Sequence, residues 1–379
     1  MTEKLYYENA YISEFSARVI SSERVGDKIL TVLDKTAFFP EEGGQSADRG
    51  YIGGVRVLGA TERDGVIYHL TEGVIPTGDV ACRIDFPERY EKMQCHTAEH
   101  ILCGIIHRRF GYENVGFHLG EEIVTFDIDG VLSAAELSEV EYEANRAVTA
   151  CLPVTAYFPK PEELDTLTYR AKLDLSKGVR IVKIGEIDYC ACCAPHVNNT
   201  GEIGLIKIID FMKHRGGTRI FMVAGKRALD DYSATLRCLS EISAALSVPR
   251  LNAAEGLSAY ISEVENRKYI FKTRAAALAT ALAEAIPETD GNLVKYIPDV
   301  SIEELRAFVN AAEDRVGGRL VALTGKAGDY KYIITSKREN LSQRAKEINA
   351  ALGGRGGGKP ESIQGSFSAS LSEIQDYFK

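Results

Sequence analysis

Apolar and polar positions alternate through the first part of the chain. The stretches ARVISSERVGDKILTVLDKT (17–36) and GVRVLGATERDGVIYHLTEG (54–73) follow this period and break at Gly-Asp or Asp-Gly. A period of two with such breaks is the signature of half-buried strands joined by tight turns. Strands spaced this closely predict a small barrel or sandwich. Between them FFPEEGGQSADRGYIGG (38–54) reads as a glycine-rich loop.

Near residue 88 the period lengthens. ERYEKMQCHTAEHILCGIIHRRFG carries apolar residues at helical spacing and stops at Gly111, a residue suited to a helix C-terminus. A β segment, VGFHLGEEIVTFDID, precedes a charged helix that starts near Ser133. After Pro153 come VTAYF, VRIVKIG, a Cys/His-rich segment, IGLIKIIDFMKH and TRIFMVAG. From about 228 to 286 the composition is helical apart from Val248-Pro249, which predicts a helical hairpin or arm. Beyond Pro287, GGRLVALTGKAG and YKYIITSK alternate with helical stretches, and the glycine-rich GGRGGGKPESIQGS reads as a loop before a short helix.

The expected fold class is α+β, in four parts: a β-barrel-like domain (1–88), a metal-binding domain (89–228), a helical arm (229–286) and a small α/β module (287–379). A length of 379 residues agrees with more than one core. No apolar run approaches roughly 18 residues, and the N-terminus has no apolar export segment, so the expected location is the cytoplasm. The net charge of −9 argues against indiscriminate coating of nucleic acid. Local basic surfaces remain at MKHRGGTRIFMVAGKR (212–227) and KYIITSKRENLSQRAKE (331–347).

Of eight cysteines, Cys190, Cys192 and Cys193 crowd into DYCACCAPH. Crowding beside a histidine favours a metal or a reactive thiol over disulfides. His96 and His100 are four apart in the predicted helix and share a face, and Cys192 and His196 repeat that separation. Three imidazoles and a thiolate suit a tetrahedral zinc ion. Spacing alone does not choose the sulfur among Cys190, Cys192 and Cys193. HTAEH lacks the glutamate of HExxH, since Thr97 follows the first histidine, and Glu99 is expected to point away from the face that His96 and His100 share.

HTAEHIL (96–102) and CCAPHVNNTGEIG (192–204) resemble the paired zinc motifs of the alanyl-tRNA synthetase editing domain and its freestanding AlaX relatives. FFPEEGGQSADRG (38–50) is similar to that family's glycine-rich segment, and GGRGGGKPESIQGS to the closing motif of the synthetase's C-terminal domain. The four motifs occur in the family's order. Departures are Ala194 and Pro195 in place of glycine and threonine, and Glu42 where a third glycine is common.

The resemblance implies a trans-acting editing hydrolase without the synthetase's aminoacylating portion, acting on serine or glycine wrongly esterified to alanine tRNA. It implies Zn2+ on His96, His100, Cys192 and His196, and a pocket involving Thr36, Gly43, Gly44 and Gln45, with Thr36 as reader of the serine hydroxyl. Serine exceeds alanine by one hydroxyl, which an apolar synthetic pocket rejects by only roughly a hundredfold, so a second site that bonds the hydroxyl is useful. Candidate tRNA contacts, to the acceptor stem and elbow, are Lys213, Arg215, Arg219, Arg355, Gly356, Gly357 and Lys359, and a homodimer through the C-terminal domain is expected. Two other classes fit the residues: a zinc amidase or peptidase on a small substrate, and a non-catalytic tRNA-binding protein with structural zinc.

Overall fold

The structure, a computed structural model, describes residues 1–164, 166–171 and 178–379. It is a mixed α and β architecture in two compact units, 1–239 and 240–379. The expected barrel and metal-binding domains therefore fall within one unit. Among the described residues no helix is long and apolar enough to cross a membrane.

In the first unit six strands close into a barrel: Glu14–Val25, Lys28–Leu33, Val66–Thr71, Val55–Arg63, Gly50–Ile52 and Gly78–Ile84, in that order around it. Their alternation sends Ala17, Val19, Leu33, Ile52, Val57, Cys82 and Ile84 inward, as a period of two requires. The chain leaves the barrel into a central helix, Phe86–Phe110, with Pro87 in its first turn and Gly111 closing it in the left-handed conformation at φ +72°. This helix is buried on every side from Arg89 to Ile106, except that Tyr90 and Glu91 are half-buried.

Around it pack the helix Ala134–Thr149, a four-stranded antiparallel sheet and a three-stranded sheet. The three-stranded sheet runs Val154–Tyr157, Ile181–Ile184, Asp188–Ala191. Ser133 caps the Ala134–Thr149 helix in a reciprocal box with Glu136.

The second unit holds a five-stranded sheet in the order Leu293–Tyr296, Leu320–Lys326, Asp329–Thr335, Ser362–Phe367, Arg355–Lys359. Alternate residues serve opposite faces. Val321 and Leu323 pack with the helices Leu341–Ala351 and Leu371–Tyr377. Leu320 and Ala322 pack with Ile302–Ala312 and the end of the long helix Ala253–Glu284.

One expectation is corrected here. Arg355–Lys359 is an edge strand, paired with Ser362–Phe367, not a loop. Gly356 is needed by what lies beneath. A Cβ on Gly356 would stand 2.2 Å from the Gln364 carbonyl oxygen and 2.7 Å from the Tyr332 hydroxyl. Tyr332 stacks on Phe367 in the core of the unit, so bare backbone is the only lid that fits over it.

The barrel and the central helix are held together by a buried ion pair. Nε of Arg89 donates to Oδ1 of Asp48 at 3.0 Å, and its other nitrogens reach the carbonyl oxygens of Ala10 and Ala37. Asp48 in turn accepts from the backbone N–H of Phe39 at 2.6 Å. Replacing Arg89 with Met leaves the Asp48 carboxylate buried without its cation, so Arg89→Met should lower stability by about 3–5 kcal/mol in urea unfolding. A loss under about 1 kcal/mol would show that the pair is dispensable.

Candidate metal centre

The central helix, the segment after Asp188–Ala191 and the glycine-rich loop meet at one point. The donor atoms of His96, His100, Cys192 and His196 all lie within 4.8 Å of one another. Sγ of Cys192 is 3.7 Å from Nε2 of His96 and 3.4 Å from Nε2 of His196.

Each imidazole is held from behind through Nδ1. His96 meets Oε1 of Gln45 at 2.9 Å, His100 meets the Asp188 carboxylate at 2.8 Å, and His196 meets the Thr97 hydroxyl at 3.0 Å. Thr97 spends its own proton on the carbonyl of Met93 at 2.7 Å, so its oxygen is the acceptor. With an acceptor behind each ring, the three Nδ1 atoms carry protons and the three Nε2 atoms face the common point. That is the tautomer a metal needs, and outer partners of this kind set ligand orientation in metal sites.

The charges agree. Burial pushes the Asp188 carboxyl up, but hydrogen bonds from His100 and Arg170 outweigh it and hold the group below the usual carboxylate range. Burial would raise Cys192, yet the facing His96 and His196 hold its thiol well below the ordinary value. Burial drives His196 down to about 3. For His100 burial also lowers, but Cys190, Asp188 and Cys192 prevail and raise it well above normal. The sulfurs and the Asp188 carboxylate beside His100 thus favour positive charge at this point, where a divalent cation would sit. The donor set fits zinc.

The three clustered sulfurs separate. Cys192 joins the three histidines, whereas Cys190 stands with His100 and Asp188 in a second grouping. Burial and the neighbouring Cys192 push the Cys193 thiol up, away from the thiolate a metal wants. The turn that presents Cys192 is pinned by Arg180, which donates to the carbonyls of Cys192 and Ala194 at 3.0 and 2.9 Å.

A glycine inside the helix makes the meeting possible. Gly104 lies one turn beyond His100, and a Cβ there would be 2.6 Å from the Ile187 carbonyl oxygen. Any side chain would push the Asp188–Ala191 strand, and Asp188 with it, off His100.

The cluster opens on a cavity of about 610 Å3 whose lining includes Tyr7, Gly43, His96, Glu99, His100, Arg170, Arg180 and Cys192. Of the loop residues singled out above, Gly43 lines it, and Gln45 sits behind His96. Gly44, at φ +84°, has no room for a side chain against Phe117. Thr36 does not line the cavity. It is fully buried, and its hydroxyl bonds His69 Nε2 at 2.9 Å and the Phe38 N–H at 3.1 Å.

Glu99, expected to point away, lines the cavity and is 3% exposed. Its spacing of three from His96 was the available signal, because residues three apart share a helix face. Asp188, Asn114, Arg170 and Arg180 carried no such signal.

The basic candidates are dispersed. Lys213 and Arg215 are exposed at the hairpin joining Ile206–His214 to Gly217–Ala224, while Arg219 is bound to Asp127 at 2.7 Å. Arg355 and Lys359 are exposed at the ends of the glycine strand, which also holds Gly356 and Gly357.

Fold and site together define a barrel joined to an α/β domain that carries three histidines and a cysteine as one donor set. Residues 179–220 match the family described as threonyl and alanyl tRNA synthetase second additional domain. The chain is 27% identical to alanyl-tRNA editing protein AlaX-L of Pyrococcus horikoshii over 99% of its own length and 97% of that protein. It is 32% identical to the alanine–tRNA ligase of Methanoregula boonei, covering 96% of this chain and 41% of the ligase. The chain thus spans less than half of the ligase. The C-Ala domain of Aquifex aeolicus alanyl-tRNA synthetase aligns with 23% of this chain and 85% of that domain, at 21% identity and a TM-score of 0.20. The chain is thus similar over nearly its whole length to a freestanding alanyl-tRNA editing protein, and over residues 179–220 to the second additional domain of threonyl and alanyl tRNA synthetases.

Cys192→Ala should abolish stoichiometric zinc in the purified protein, whereas Cys193→Ala should leave it unchanged. Asp188→Asn should weaken zinc affinity roughly 10–100-fold by loosening His100. Full zinc retention in Cys192→Ala would move the ligand role to Cys190.

Proposed function

We propose that the protein is a trans-acting, zinc-dependent deacylase that removes serine or glycine wrongly esterified to alanine tRNA. The observation that carries this reading is the convergence of three Nε2 atoms and one thiolate on a cavity of about 610 Å3. That volume suits a terminal aminoacyl nucleoside, since small-ligand pockets run from about 300 to 1,000 Å3. Similarity along almost the whole of a protein named for alanyl-tRNA editing supports the same reading.

Zinc, held by His96, His100, Cys192 and His196, would supply Lewis acidity toward the ester carbonyl and a bound water whose pKa falls towards about 7. The protein's own contribution is position. Gln45, Asp188 and Thr97 fix the rings, and Arg180 fixes the sulfur-bearing turn. Burial of the three histidines keeps bulk water from screening the charges. Residues 1–228 form the editing portion in this reading, 229–286 an arm, and 287–379 a module that grips the tRNA elbow and pairs two copies. Lys213, Arg215, Arg219, Arg355 and Lys359 meet phosphates. Cytoplasmic tRNA is the substrate pool.

Purified protein should release serine and glycine from alanine tRNA while sparing alanine by at least roughly tenfold, and chelation should stop the reaction. Indifference to all three charged tRNAs would refute the reading. Arg355→Ala and Lys359→Ala should each reduce the slope of log affinity against log salt by about 0.7–0.9, the signature of one lost phosphate contact. An unaltered slope would remove the glycine strand from the tRNA interface.

A further inference from the structure

We infer that Glu99 is the receptor for the α-ammonium group of the aminoacyl ester, an assignment that rests on the deacylase reading of the same cavity. Glu99 is 3% exposed and lines the cavity beside two of the metal-binding histidines. Its Oε1 accepts from Nδ2 of Asn114 and, at 3.3 Å, from the Cys103 thiol. The Asn114 amide is oriented by its own oxygen, which accepts from the Gly116 N–H at 3.0 Å. Oε2 of Glu99 accepts no hydrogen bond among the described residues.

A buried carboxylate calls for a cation. The two guanidinium groups on the cavity wall are already engaged: Arg170 with Asp188 at 2.7 Å, and Arg180 with the carbonyls of Cys192 and Ala194. Among the described residues, the other acids lining the cavity are poorer receptors. Glu41 and Glu42 are exposed, and Glu62 pairs with Lys4 at 2.7 Å.

The placement also suits the chemistry of the ligand. In an aminoacyl ester one carbon separates the ammonium nitrogen from the carbonyl carbon. A receptor for the ammonium must therefore stand next to the groups that meet the carbonyl, and Glu99 lies between His96 and His100 on the same helix. An N-acylated ester, such as a peptidyl ester, lacks the charge. Glu99 thereby selects free aminoacyl esters over N-blocked ones.

The test compares seryl-tRNA with N-acetylseryl-tRNA in the zinc-loaded wild type, Glu99→Gln and Glu99→Asp. Binding of non-hydrolysable 3′-seryl-amino-adenosine and its N-acetyl form is measured beside it, with zinc content and thermal stability. Wild type should prefer the free amine on the order of 10–100-fold in both kcat/KM and affinity, the value of a charge-assisted hydrogen bond. Glu99→Gln should lose that factor for the free amine alone, bringing the ratio near one with zinc content unchanged. Glu99→Asp should recover part of the preference.

Equal slowing of both substrates, an unchanged ratio, or loss of zinc in Glu99→Gln would overturn the assignment. A wild type that hydrolyses neither tRNA refutes the deacylase reading. In that case a free-amine preference in analogue binding, abolished by Glu99→Gln, still upholds the ammonium site.

Discussion

The buried pair of Arg89 and Asp48 is where the barrel, the glycine-rich loop and the central helix become one object. Arg89 lies in the first turns of the helix that later presents His96 and His100, and Asp48 ends the loop that presents Gln45. Through the Ala10 and Ala37 carbonyls the same guanidinium holds the N-terminal segment and the loop's start. Lys92, one turn on, adds a bond from Nζ to the Ala47 carbonyl at 2.9 Å. A buried charge pair is a poor source of net stability. Its worth here is geometric: with all three nitrogens of Arg89 engaged, Gln45 and His96 keep one register.

That register matters because the metal centre is specified from behind. A histidine becomes a ligand when its second nitrogen has a fixed acceptor, and the three acceptors come from three different places. Gln45 belongs to the loop, Asp188 to a strand, and Thr97 to the helix itself. Thr97 stands on the helix between His96 and His100 but serves His196, 99 residues away, so all three pairings depend on tertiary closure. For Gln45 it comes through the Arg89 clamp and for Asp188 through the close approach at Gly104.

This division explains what could be read in the chain. The central helix and its end at Gly111 were legible because periodicity and a left-handed cap are local properties. His96 and His100 were legible as a pair for the same reason, and Cys192 with His196 as a second pair. Spacing left the sulfur open among Cys190, Cys192 and Cys193, and the family resemblance implied Cys192; the strand Asp188–Ala191, set against the helix, brings the donor atoms of both pairs together. Asp188 and Asn114 were invisible, lying 88 and 15 residues from their partners His100 and Glu99. The glycine strand was read as a loop because glycine ordinarily weakens strands. Tyr332 beneath it reverses that rule.

Thr36 makes the same point from the other direction. The resemblance made its hydroxyl a reader of serine, but the barrel delivers His69 to it. His69 holds its Nδ1 proton against the Thr31 carbonyl at 3.0 Å, so its Nε2 accepts the Thr36 proton. Burial drives His69 down to about 4, which keeps the ring neutral and that arrangement intact. Glu99 and Asp188 form the complementary contrast. Both are buried carboxylates, yet Asp188 is saturated by an imidazole and a guanidinium, while Glu99, on the cavity wall, keeps one oxygen without a partner among the described residues. The saturated acid can only orient His100; the open one is available to a ligand. Two identical functional groups are thus left with different capacities by the partners the fold supplies.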